Sequence, residues 1–271
     1  MAKKIKHPGR RLFFTLFVVM LLLIFIRIPR NDRNWVDEQS ILASAQINNT
    51  LVTIQNVRNY SYDPLHVDRY NRTYDTATLK RLWYIVEPFD KFDGFAHTFF
   101  SFEFENGTTV AVSVEGRFEK NETFSPFIGL WNRYEIIYIW GDERDLINKR
   151  IVQGNPLYMY PINTSSQNVQ KLFMQMVNKT NKLQTRPDFY NTLFTTCTTE
   201  LAKNANEAFP GRLPWSIAWN FPGYAADYLY DNSLIDTQIA NEKLQTYYNI
   251  TARAKENGAA QDFSTVIRQF K

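Results

Sequence analysis

"AHTFFSFEFENGTTVAVSVEGRFEK", residues 96–120, decides how this chain folds. Apolar and polar residues alternate on either side of Asn106-Gly107, which predicts an antiparallel hairpin. Successive side chains of a strand point to opposite faces, so the length of the turn decides which residues share a face. A two-residue turn would set Phe100, Phe102 and Phe104 beside Ser113, Glu115 and Arg117, mixing an apolar face with a charged one. A three-residue loop, either Glu105–Gly107 or Asn106–Thr108, sorts the faces instead. The three phenylalanines then join Val110, Val112 and Val114. The other face collects His97, Ser101, Glu103, Ser113, Glu115 and Arg117, with Glu115 directly or diagonally across from His97. Residues so placed lie within about 5–8 Å. A carboxylate at that range can orient an imidazole base; the plainer readings are a hydrogen-bonded sheet histidine and a surface ion pair of little energetic weight.

Outward from the hairpin, "LVTIQNVRNY" (51–60), "LWYIVEPF" (82–89), "RYEIIYIW" (133–140) and "LYMYPI" (157–162) read as further strands. "NWVDEQSILASAQI" (34–47) reads as a helix after a linker, and residues 60–76 as an irregular surface segment. In "SSQNVQKLFMQMVNKTNKLQ" (165–184), Val169, Leu172, Phe173, Met176 and Val177 fall on one helical stripe behind a serine cap. A polar, helical tail follows residue 240. The expected class is α+β: a mostly antiparallel sheet with helices packed on it.

Lys and Arg number 31 against 27 Asp and Glu, a net charge of +4. Lys3, Lys4, Lys6, Arg10 and Arg11 precede the apolar run "LFFTLFVVMLLLIFI", Leu12–Ile26. The rest of the chain is close to neutral and gives no reason to expect nucleic acid. The basic tail, the apolar run and the closing "RIPRNDR", with no small-x-small cleavage site, predict an uncleaved signal anchor. Residues 1–11 would be a cytoplasmic tail, 12–28 one transmembrane helix, and 29–271 a single periplasmic domain at the inner membrane. A cleaved signal peptide and a buried helix are the competing readings.

The one cysteine lies in "TTCTTELA", residues 195–202. A lone thiol in an oxidising compartment has no partner within the chain, so Cys197 is either an inert buried residue or a reactive group. If Thr195 or Thr196 caps a helix ending near Phe209, the thiol sits in its first turn. There the dipole favours a thiolate, and unpaired N–H groups can receive an oxyanion. His7 lies in the tail and His66 in a polar loop, which leaves His97 as the base and Glu115 as its orienting carboxylate. Those are the parts of a thiol acyl-transfer site. Tyr190 and Asn191 shape the pocket of that thiol or merely pack. No cluster has metal-ligand spacing and no glycine-rich loop awaits a phosphate, so neither metal nor cofactor is expected.

The stretches "GFAHTFFSFEFENG", "VAVSVEGRFEKNETFSPFIGL", "RYEIIYIWGDERDLINKR", "FYNTLFTTCTTEL" and "FPGYAADYLYDNSLID" resemble, in this order, the Lnb N-terminal periplasmic domain family of bacterial envelope proteins. The resemblance spans roughly residues 35–240. It implies a role in N-acylation of lipoproteins, with His97 and Cys197 as the catalytic pair and a membrane phospholipid, lipoprotein or peptide as substrate. Ser113, Arg117, Tyr190, Asn191 and Thr196, in the matched stretches, are the expected substrate-binding residues. A histidine before a cysteine that opens a helix is also similar to the permuted papain-like arrangement of the lecithin:retinol acyltransferase group. Two other readings stand beside this one: a non-catalytic envelope binding module, and a cysteine peptidase or amidase acting on cell-wall peptide.

Overall fold

The hairpin closes through the three-residue loop Glu105–Gly107. The Phe104 N–H donates to the Thr108 carbonyl at 2.9 Å and Gly107 adopts φ +78°, a left-handed conformation that glycine enters without a Cβ clash. Strands β7 (Ala96–Phe104) and β8 (Thr109–Arg117) pair with Phe100 opposite Val112 and Phe102 opposite Val110. The faces are therefore sorted as the pattern requires.

The computed structural model describes residues 8–62 and 65–270. Helix α1 (Pro8–Ile26) leads into β1 (Ser44–Asn48), β2 (Leu51–Arg58), β3 (Ser61–Tyr62), β4 (Leu65–His66), β5 (Arg69–Asp75) and β6 (Leu79–Pro88). After the hairpin come α2 (Pro126–Gly129), β9 (Tyr134–Gly141), α3 (Glu143–Val152), β10 (Tyr158–Pro161), α4 (Ser166–Thr185) and β11 (Phe189–Tyr190). The chain then runs through α5 (Cys197–Ala208), α6 (Ala225–Asp231), α7 (Leu244–Tyr247), α8 (Thr251–Glu256) and α9 (Phe263–Val266). The main sheet has the order β1-β2-β9-β8-β7-β6-β10, with β5 also on β2 and β11 also on β9. Every pairing in it is antiparallel except a single parallel contact between Arg58 and Gly141. The class is α+β.

Helices cover both faces. Phe100, Phe102, Phe104, Val110, Val112 and Val114 pack with the α4 stripe and with Leu201, Ala202 and Ala205 of α5. Ile85, Phe99, Ala111, Ile137 and Ile139 form a second core with Leu146 and Ile147 of α3, Ala254 of α8 and Phe263 of α9.

Two expectations are corrected. The helix over 34–47 is only a 3-10 turn, Asp37–Gln39, before β1. Two of its apolar residues, Trp35 and Ala43, are buried and anchor an extended linker, while Ile41 stays exposed. The irregular segment contains β5, a polar strand whose Thr73 hydroxyl meets that of Thr53 at 2.8 Å. Among the described residues no helix is long and apolar enough to cross a membrane. The apolar run from Leu12 rises only about 22 Å at 1.5 Å per residue, against about 30 Å of hydrocarbon. The expected transmembrane helix is not shown. His7 lies outside the described residues.

Candidate active site

Strands β7 and β8 stay in register only as far as Phe99 opposite Ser113, whereas β7 remains paired to β6 down to Ala96 and β8 to β9 up to Arg117. The sheet thus splits between two neighbouring strands. Into the split opens a cleft of about 360 Å³, lined by Ala96, His97, Val114, Glu115 and Gly116 of the parted strands and by Tyr190, Thr196 and Cys197.

On one side of the split is an ionic cluster. His97 lies opposite Glu87 of β6 and 3.9 Å from Glu115. Arg150 of α3 spans these two carboxylates, 3.0 Å from Glu87 and 2.7 Å from Glu115. Burial opposes ionisation of Glu115, but the charges of Lys149 and Arg150 outweigh it and hold the group well below the usual carboxylate range. An ionised Glu115 can only accept, so the Ser113 hydroxyl donates to it at 2.8 Å. The Ser113 oxygen must then accept from His97 Nε2–H at 2.7 Å. That chain fixes the tautomer and leaves Nδ1 with a free lone pair. Burial, then the charge of Arg150, pushes the imidazole pKa down to about 3 against the pull of Glu115. The histidine is a neutral base at physiological pH.

On the other side, Thr196 caps α5. Its hydroxyl accepts from the Thr199 N–H at 3.2 Å, and the Thr199 hydroxyl accepts from the Thr196 N–H at 2.7 Å. Cys197 and Thr198 open the helix, so their N–H groups have no partner within it. Thr98, the residue after His97, meets Thr198, the residue after Cys197, hydroxyl to hydroxyl at 2.7 Å. This contact clamps the start of α5 against β7. Cys197 is 5 % exposed. Burial pushes its thiol pKa up, while the hydroxyl and backbone groups of Thr198 and Thr98 pull the other way. Its sulfur lies 3.6 Å from Thr198 Oγ1, and among the described residues no hydrogen bond joins it to His97. Strand alternation is the reason: Thr98 faces α5, and His97 faces α3.

Arg117 and Asn191 lie outside this arrangement. The Arg117 guanidinium donates to the carbonyls of Gln39 and Ser40 at 2.9 and 2.8 Å and stacks on Trp35 at 4.2 Å, pinning the linker. Asn191 donates to the Leu130 carbonyl at 3.1 Å and accepts from the Leu193 N–H at 2.9 Å, shaping a loop. Ser113 is fully buried beneath His97. The sequence pattern alone gave no sign that Glu87 or Arg150 would meet His97 and Glu115. The β6–β7 register would have disclosed the first. The second needed the docking of α3, which has no sequence signature.

A family model described as the Lnb N-terminal periplasmic domain matches residues 66–220, more than half of the chain. The chain belongs to that family. Its match covers both parted strands, the α3 cluster and the cysteine helix, so every residue lining the cleft except Pro222 lies within the matched Lnb N-terminal periplasmic domain. No curated protein and no solved structure matches the chain. Among the described residues no cluster of His, Cys, Asp or Glu could hold a metal ion.

Proposed function

We propose that this Lnb-family domain is a cysteine acyltransferase or hydrolase that works through a thioester on Cys197, in the setting of lipoprotein N-acylation. The observation that carries the reading is the split sheet. It opens a lone thiol at a helix start and a tautomer-fixed neutral imidazole into one cleft. The thiol proton passes to His97 Nδ1 as a carbonyl carbon enters the cleft. Sulfur adds to that carbon, and the oxyanion meets the first N–H groups of α5. The imidazolium returns its proton to the departing oxygen or nitrogen. An amine or water then attacks the thioester and frees the thiol. Glu115 and Ser113 act through His97, and Thr196 holds the helix start; Tyr190 lines the substrate's path. The order of His and Cys supports a permuted papain-like arrangement.

The same proposal puts residues 29–271 in the periplasm as one domain, held at the inner membrane by residues 12–28 with the basic tail inside. Apolar side chains exposed from Leu12 to Met20 support this reading. The stems of Arg11 and Arg27 can extend a short span toward the headgroups.

Incubating the protein with an activated acyl ester and reading acyl-Cys197 by mass spectrometry tests the reading. Wild type should gain an adduct that hydroxylamine removes, and Cys197→Ala should gain none. Absence of the adduct in wild type would leave a second reading, a non-catalytic binding module, which the buried, protonated state of Cys197 favours.

A further inference from the structure

Three loops form the lip of the cleft, and they expose large apolar side chains where a soluble rim would be polar. Phe127 is 79 % exposed, Phe194 78 % and Trp215 78 %, with Trp131, Leu193 and Ile217 also exposed beside them. These loops are one surface. The Thr192 hydroxyl donates to the Pro126 carbonyl at 2.8 Å, and Asn220 donates to the Leu193 carbonyl at 2.5 Å. Phe92 packs edge-on against Phe221 at 5.8 Å. Pro126, Thr192 and Asn220, which join the loops, also line the cleft. A contiguous apolar patch of this kind on a monomer marks a partner.

The chain itself names the partner. Phe13 and Phe14 of α1 are exposed, and the segment leaving that apolar helix is pinned at the same end of the sheet. Arg27 lies 3.7 Å from Glu119, and Arg33 lies 2.8 Å from Glu135 at the start of β9. Glu135 pairs with Phe189, next to Tyr190 in the cleft. Where β8 ends and β7 and β9 begin, the exit of the apolar helix, the cleft and its apolar lip therefore come together. Tryptophan and phenylalanine side chains on loops are what a membrane–water interface takes up.

We infer that the loops around residues 124–131, 193–194 and 215–217 dock on the surface of a phospholipid bilayer, so that the cleft opens onto lipid. The bilayer that takes up the helix also takes up the lip. Acyl chains would enter the cleft without crossing water.

The test uses the full chain reconstituted into phosphatidylcholine vesicles with brominated acyl chains, which quench tryptophan on contact. Trp35, Trp83, Trp140 and Trp219 are buried, whereas Trp131 and Trp215 are exposed. Emission should therefore be quenched in wild type, and the Trp131→Phe/Trp215→Phe variant should lose that quenching. Quenching that persists undiminished in the variant overturns the inference. So does its absence in wild type, which would leave the lip to a protein partner. A second arm uses Phe194→Asp/Trp215→Asp. Turnover of a vesicle-embedded ester should fall at least tenfold, while reaction with a short water-soluble ester stays unchanged; equal rates on both substrates count against docking. Quenching needs no chemistry at Cys197, so an inactive thiol and an undocked lip give separable results.

Discussion

A buried thiol beside threonine hydroxyls and a histidine whose pKa is pushed down to about 3 do not form an ion pair at rest. The proton stays on sulfur because burial disfavours both the thiolate and the imidazolium, and the charge of Arg150 beside the imidazole adds to that. This differs from a preformed thiolate–imidazolium pair, which would react with alkylating agents in mild acid. Carbamidomethylation of Cys197 by iodoacetamide, with iodide leaving, should be slow at pH 5–7 and rise tenfold per pH unit beyond pH 8. A plateau between pH 4 and 6 would contradict the neutral ground state. Ser113 determines which imidazole nitrogen is the base. Ser113→Ala removes the acceptor for Nε2–H while leaving Glu115 paired to Arg150. Acyl transfer should fall by about 10²–10³, in the range for loss of a general base's orientation, with Km nearly unchanged and a Thr variant partly restoring the rate. An unchanged rate would show that Ser113 only fills space.

At the scale of elements, the start of α5 and the turn of the hairpin carry separable energies. Thr196→Ala removes the hydroxyl that accepts from the Thr199 N–H and should cost about 1 kcal/mol, read as a lower urea midpoint. Gly107→Ala places a Cβ at φ +78° and should cost about 1 kcal/mol through backbone strain alone, without moving the cleft residues. The hairpin was legible because alternation and sorted faces overdetermine its register. So was α4, whose apolar stripe packs on a flat core. Helix α3 was not legible as a packed element. Its inward side carries only Leu146 and Ile147 as core residues among Glu143, Asp145 and Arg150, and these three ions meet Arg268, Arg58, and Glu87 with Glu115. A helix docked by two adjacent apolar residues and three ions has no apolar period to read. The cysteine, the histidine and the carboxylate were each readable. Their placement about one split was not, because strand divergence leaves no mark in composition.

Across the whole molecule, the buried charges that dock α3 tie stability to pH. Glu143 is held below its usual range: burial opposes ionisation, but Arg268 and Ser101 outweigh it, and Glu115 is held well below its own by Lys149 and Arg150. A carboxylate with a depressed folded pKa contributes stability above its unfolded value, and that contribution is lost as pH falls through the folded one. His97 acts earlier and in the same direction. Unfolded, it takes up a proton near pH 6.5; folded, it resists down to about 3. Between those values the unfolded state binds more protons, so stability falls with pH by up to about 1.4 kcal/mol per unit. Glu87, Asp142, Glu135 and Asp227 oppose this, since burial raises their pKa values and acid relieves that cost, so the comparison with a His97 variant isolates the imidazole. The urea midpoint, followed by tryptophan emission in mild detergent, should therefore decline from pH 6.5 to 5, before the carboxylates titrate. His97→Asn should remove that early decline and leave the later one below pH 4.5. A midpoint that stays level from pH 7 to 5 in wild type would mean that the imidazole is already free to ionise in the fold, and that the neutral base inferred for the cleft is wrong.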